Sequence, residues 1–179
     1  MKRYFATATR DALREQWGNA GVRDTAERVP QRVRDDILHD RGTWVSERSF
    51  IAFHIAIFEG VAGHDRETYN RIIRRTTEMS FGVVRKLLVS MASPRRIFES
   101  GPAIWKADHT HGVLECRLHE SGHRGVLALR DSPFTESPHA RAGLAENLRY
   151  VLELSGAKGA IETHGPAGPG VLEIKVRWA

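Results

Sequence analysis

Five side chains able to hold a soft or borderline metal ion fall within the segment ADHTHGVLECRLHESGH: His109, His111, Cys116, His119 and His123. Imidazole and thiolate are the common ligands of zinc and copper, so this stretch is the first to weigh for chemistry. Its spacing works against one shared site. On a strand, Cys116 and His119 point to opposite faces, and His123 falls in the turn that follows. His109 and His111, two residues apart at the strand entrance, could share a face and chelate one ion, which makes them the metal candidates. The simpler reading is a set of exposed histidines with a buried structural thiol.

His54 lies in the apolar run Phe50–Val61. A histidine so placed can ligate haem iron; more often it is a core histidine bonded to a backbone carbonyl or a neighbouring acid. Cys116 as a nucleophile would need an exposed thiol and a positioned base, and its apolar strand face argues for an inert one. There is no G-x-S-x-G elbow and no H-E-x-x-H. GPAGPG lacks the lysine and following helix of a phosphate loop and reads as a hairpin connection. Asp35–Asp36 reads as a pair of solvated helix positions. No enzymatic site and no cofactor is implied by these residues.

Bulk properties agree with a single globular unit. The chain has 179 residues, 41% hydrophobic and 27% charged, enough for one proper core and cramped for two domains. No apolar run approaches the ~20 residues of a membrane span, and the N-terminal segment lacks the apolar core of a secretory signal. The single cysteine fits a reducing, cytoplasmic setting. The net charge is +5, with arginine outnumbering lysine 22 to 5, which raises phosphate or nucleic-acid binding. The arginines, however, are interleaved with acids, and no nucleic-acid-binding motif accompanies them.

The elements that would position these residues follow from caps and periodicity. Residues 1–43 form a helical N-terminal extension, either part of the main unit or a docking segment. Thr9 or Asp11 could cap a short helix through Trp17 that Gly18 and Gly21 break, and Pro30 separates two further short helices. Ser46 caps an all-apolar, hence central, helix ended by Gly60 and Gly63. Asp65 starts one long helix over 66–92, about 40 Å, bent at Gly82. PRRIFESG is a short helix ending near Gly101, with Trp105 on a crossing segment. Leu114, Cys116 and Leu118 face one side of a strand, joined by Leu127 and Leu129 of its hairpin partner; Leu172, Ile174, Val176 and Trp178 face inward on the last strand. Between the two hairpins, Ser137, Pro138 and Gly156 bound a helix whose buried stripe is Leu144, Leu148, Val151, Leu152 and Leu154. The class is α+β: a mostly helical first half packed on a small antiparallel sheet made of two hairpins flanking a helix. Residues 44–179 make one ligand-binding-like domain.

The run VLALRDSPF…GLAENLRYVLELSGAKGAIETHGPAGPGVLEIKVRW resembles the end of the 4-vinyl reductase-type small-molecule-binding domain. That domain shares its fold with heme-nitric-oxide-binding-like proteins and TRAPP vesicle-tethering subunits. VSERSF, Gly63–His64–Asp65 and SFGVVRKLL also resemble a myxobacterial family of uncharacterised paralogous proteins of about this size. The resemblance implies a helical layer over an antiparallel sheet, often dimerising through helices. It does not carry the cofactors across. The terminal hairpin has Ile161, Thr163, His164, Val171 and Leu172 where vinyl-reductase-type domains carry cysteines. Haem-binding members use Tyr-x-Ser-x-Arg, and Tyr4, Tyr69 and Tyr150 are each followed by other residues.

The expectation is a non-enzymatic regulatory or sensory domain holding a small apolar ligand in an interior lined by Phe53, Phe58, Ile73, Phe81, Leu114, Cys116 and Leu148. The same residues would serve equally to fill a closed core. The rival is a dimeric module that docks a protein partner through its helical surface and N-terminal residues.

Overall fold

A computed structural model of the chain describes residues 1–39, 41–157 and 159–179, with the side chains of all of these except residues 83–88, 159, 160, 162 and 163. The chain is α+β. Its contacts gather into two compact units, Met1–Ser80 and Phe81–Ala179.

The first unit holds α1 (Tyr4–Glu27), α2 (Gln31–Leu38), α3 (Glu47–Glu59) and the start of α4 (Arg66–Met91). Residues 1–43 lie within it, with α1 and α2 packed on each other and on α3. α1 begins earlier than its cap signals suggest. Thr9 is buried mid-helix and donates its hydroxyl back to the Phe5 carbonyl (2.9 Å), while Asp11 bonds Arg14 at the surface. Gly18 does interrupt the helix, at φ 67°, ψ −166°, but Gly21 is helical. Pro30 separates α1 from α2 as expected. In α3 the Ser46 hydroxyl accepts from the Ser49 N–H (3.3 Å), and Gly60 closes the last turn. Phe50, Ile51, Phe53, Ala56, Ile57 and Phe58 are all buried, so the helix is central to its unit.

α4 is not one bent rod. Gly82 has φ 61° and ψ 169°, far outside helical geometry, so two helices meet there. Only glycine takes that conformation without strain, which is why an unbroken apolar spacing across Gly82 did not reveal the break.

The second unit holds α5 (Pro94–Asp108), β1 (Val113–Leu118), β2 (Arg124–Arg130), a 3₁₀ turn (Pro133–Thr135), α6 (Pro138–Leu154), β3 (Gly159–Gly168) and β4 (Val171–Trp178). α5 runs straight through Gly101 and Pro102, and Trp105 sits on it rather than on a crossing segment. Its buried residues Ile97, Phe98, Trp105 and Asp108 straddle Pro102, and the helix packs on β1. Burying that face outweighs the one backbone hydrogen bond a proline removes.

The two hairpins merge into a single antiparallel sheet of order β1-β2-β4-β3. Leu172, Ile174, Val176 and Trp178 of β4 are 0–5% exposed, and Leu127 and Leu129 lie on the same face. Phe98 presses on that face against Trp178 (ring centroids 5.4 Å) and directly over Gly125. A Cβ at Gly125 would lie 2.5 Å from the Phe98 ring. Gly125→Ala is therefore expected to destabilise this unit by about 2 kcal/mol through overpacking. Adding Phe98→Leu should recover part of the loss, read as urea midpoints around a double-mutant cycle. Strict additivity of the two changes would show that the ring is not the obstacle.

α6 has the predicted ends: the Ser137 hydroxyl accepts from Ala140 N–H and Gly156 has φ 80°. Its buried face differs. Ala140, Gly143, Ala145, Glu146 and Leu152 are fully buried, whereas Leu144, Leu148, Val151 and Leu154 are half-buried. Of the expected stripe, Leu152 alone is fully buried, alongside small residues and Glu146. Glu146 is held there by an ion pair with Arg149.

Candidate functional site

The polar centre of the first unit is His54, 4% exposed on α3 and set against the Phe50 ring (centroids 4.4 Å). Thr9 of α1 and Tyr69 of α4 complete it. The Thr9 hydroxyl lies 3.3 Å from Nε2, and the Tyr69 hydroxyl 3.3 Å from Nδ1. Because Thr9 spends its proton on the Phe5 carbonyl, it can only accept at Nε2. His54 is therefore the Nε2–H tautomer, donating to Thr9 and accepting from the Tyr69 phenol at Nδ1. Burial lowers its pKa to about 3 and raises that of Tyr69 well above the ordinary value. Arg66 lies over the Phe58 ring (4.6 Å) at the rim of this cluster.

Both ring nitrogens are occupied, so His54 has no lone pair to offer a metal and, being neutral and enclosed, no route to act as a general base. It is a core histidine, as expected, but its partners are a threonine and a tyrosine rather than a carbonyl or an acid. Tyr69 lies on the apolar face of α4, which is the signal that could have nominated it; nothing local marks Thr9.

The seven expected lining residues divide between the two units. Phe53, Phe58 and Ile73 are buried in the core of the first. Phe81, Leu114, Cys116 and Leu148 belong to the second, each half-buried. Cys116 is thus less enclosed than its strand pattern implied; burial, followed by the negative charge of Glu99, still pushes its thiol pKa up and keeps it protonated. A separate groove of about 530 Å³ on the first unit is lined by Arg3, Tyr4, Thr7, Ala8, Asp11 and Met79, none of them predicted.

The histidine-rich segment is dispersed. His109 lies flat on Trp105 (centroids 3.6 Å, planes within 1°) with the Phe134 ring edge-on to it. His111 gives its carbonyl to the Trp105 indole N–H (3.0 Å) and its Nδ1 lies 2.9 Å from the Thr110 hydroxyl. Among the described residues no three His, Cys, Asp or Glu side chains are grouped to hold a metal ion. Nor, among them, is any helix long and apolar enough to cross a membrane.

No protein-family model and no curated protein sequence matches the chain. Solved structures do. The Fe(II) unliganded H-NOX protein of K. algicida superposes with a TM-score of 0.71 at 11% identity, over 100% of this chain and 97% of that one. The H-NOX protein of S. oneidensis in its Fe(II)NO state gives 0.63 at 11% identity over 100% and 99%. An oxygen-binding H-NOX domain related to soluble guanylate cyclases gives 0.60 at 11% over 99% and 94%. The chain thus has the heme-NO-binding-like fold, and identity this low speaks for the fold alone.

Haem belongs to one of the matched structures, and the residues of this chain do not fit a haem held from the core helix. His54 is the fully buried histidine among the described residues, and its two nitrogens are already bonded. α4 and α5 contain no histidine or cysteine.

Proposed function

We propose that the chain is a non-enzymatic sensory domain that binds a small apolar ligand. The observation that carries this reading is the likeness of fold, over the whole chain, to domains that hold oxygen or nitric oxide. Two features turn the ligand away from a haem-bound gas: the saturated His54 and the missing Tyr-x-Ser-x-Arg signature. In the second unit, half-buried Leu114 and Cys116 share a sheet face with Leu127 and Leu129, which gives apolar surface to the reading. The absence of catalytic sequence motifs and the protonated Cys116 support a non-catalytic role. A cytoplasmic location and kinship with the myxobacterial paralogues belong to the same reading.

The test is thermal melting of the purified protein with medium-chain fatty alcohols, indole and hemin, beside native mass spectrometry for a retained ligand. A ligand present at about 100 times its Kd adds about 2.7 kcal/mol, which raises the melting temperature of a unit this size by several degrees. A shift with the apolar compounds is expected. No shift with any of them, no retained molecule, or a histidine-ligated haem spectrum with hemin would each sink the reading.

A second reading is a protein-docking or homodimeric module. It draws on apolar side chains exposed in the second unit: Met91 at 77%, Val113 at 56% and Ile104 at 39%. A concentration-independent dimer in sedimentation velocity, without ligand-dependent melting, would favour it.

A further inference from the structure

The two edges of the sheet differ. β3, the edge beyond β4, carries Pro166 and two register shifts, devices that stop a strand from recruiting another chain. β1, the other edge, has neither: its residues, VLECRL, pair with β2 without a slip. Among the described residues, no backbone hydrogen bond outside the ladder reaches Val113–Leu118. The His119 N–H bonds the Arg124 carbonyl (2.9 Å), which fixes the groups that β1 spends on β2. In an antiparallel pair, alternate residues turn both N–H and C=O to one neighbour. Val113, Glu115 and Arg117 therefore serve β2, whereas Leu114, Cys116 and Leu118 turn their backbone groups outward. The side chains of these last three are half-buried.

We propose that β1 pairs antiparallel with β1 of a second copy of this chain, Cys116 opposite Cys116, so that two sheets join across a two-fold axis. Outward groups must meet outward groups, so such a pair is centred on one residue of β1, and 115, 116 and 117 keep the overlap long. Centring on 115 opposes glutamate to glutamate, and centring on 117 opposes arginine to arginine. Centring on 116 sets Glu115 against Arg117 of the second copy, twice, and Leu114 against Leu118, twice. Directly opposed side chains have Cβ atoms about 5 Å apart, where opposite charges stabilise a sheet and like charges weaken it. Glu115 and Arg117 are exposed, and within their own chain they meet Arg130 at 3.8 Å and Glu173 at 3.9 Å, distances that leave room for a cross-strand partner. On α5, Phe98 reaches over β2 towards β4, and Ile104, on the other flank and 39% exposed, adds apolar surface on the β1 side. This interface deepens the homodimeric reading and rests on it.

The experiment is sedimentation velocity of the full chain over a range of concentrations. Wild type should dimerise, and a short bismaleimide should join two chains through Cys116, the single cysteine. Glu115→Arg sets arginine against arginine and Arg117→Glu sets glutamate against glutamate, so each variant alone should associate about tenfold more weakly. Mixed in equal amounts, the two should recover wild-type association, because each glutamate of one chain then faces an arginine of the other. Recovery also shows that both variants are folded. A wild-type dimer that neither change weakens would overturn this edge and leave the homodimer standing, whereas a wild-type monomer at every concentration would overturn both. A mixture that associates no more tightly than its components, when both melt as wild type does, would overturn the register and with it the proposal.

Discussion

Lowering the pH from 7 to 4 is expected to remove about 3 kcal/mol of stability from the first unit, through His54 alone. In the unfolded chain this imidazole takes up its proton near its ordinary pKa of 6.5; in the folded protein it resists until about 3. Above the unfolded value both states are neutral and His54 contributes no slope. Between the two values only the unfolded state is protonated, so stability falls by about 1.4 kcal/mol per pH unit as the pH drops. Below the folded value both are charged and the loss levels off. His54→Gln should flatten this slope, since an amide can donate to Thr9 and accept from Tyr69 without titrating. It should also cost about 1–2 kcal/mol at pH 7, because its reach differs from that of the ring. Hydrogen exchange of the α3 amides across the pH range isolates this unit from the other. An unchanged slope in the variant would mean that other groups carry the acid sensitivity.

The second large effect belongs to Arg3. Its guanidinium donates to three backbone carbonyls of the segment joining α2 to α3, Gly42 (2.9 Å), His39 (2.7 Å) and Trp44 (2.9 Å), and to the Asp36 carbonyl near the end of α2 (2.8 Å). The Arg3 backbone N–H adds a bond to Thr43 (2.9 Å), and Lys2 sits 4.2 Å over the Trp44 ring. A planar fork with five N–H groups can serve such a fan of acceptors; a lysine ammonium, a point donor, cannot. Arg3→Ala is expected to destabilise the unit by about 2–4 kcal/mol, a figure discounted because part of the group is solvated. Arg3→Lys should recover less than half of this. Urea midpoints measure both, and exchange of the 41–45 amides should rise in each variant. A lysine variant as stable as wild type would show that charge alone, not the fork, secures the segment.

Signals acting within one turn of chain were legible. Ser46 and Gly60 bounded α3, Ser137, Pro138 and Gly156 bounded α6, and the alternation of Leu172, Ile174, Val176 and Trp178 set the inner face of β4. Each of these works through a hydrogen bond or a burial preference of the residue itself, so neighbours in sequence suffice to reveal it. Two of the wrong expectations concern places where distant packing outvotes a local signal. Pro102 sits inside α5 because Phe98 and Trp105 are both buried. α6 buries Ala140, Gly143, Ala145 and Glu146 beside Leu152, while Leu144, Leu148 and Leu154 are only half-buried.

Read alone, then, the residues determined the α+β class, the order of the elements, most of their ends and the central place of His54. Tertiary structure decided which side chains meet. Thr9, His54 and Tyr69 converge from three helices, Arg3 reaches forward to a segment some forty residues on, and Arg124 lies beside Arg177 only because β2 pairs with β4. Such encounters depend on which face each element turns to which neighbour. That choice rests on the summed burial of many side chains, and no short stretch of sequence contains it.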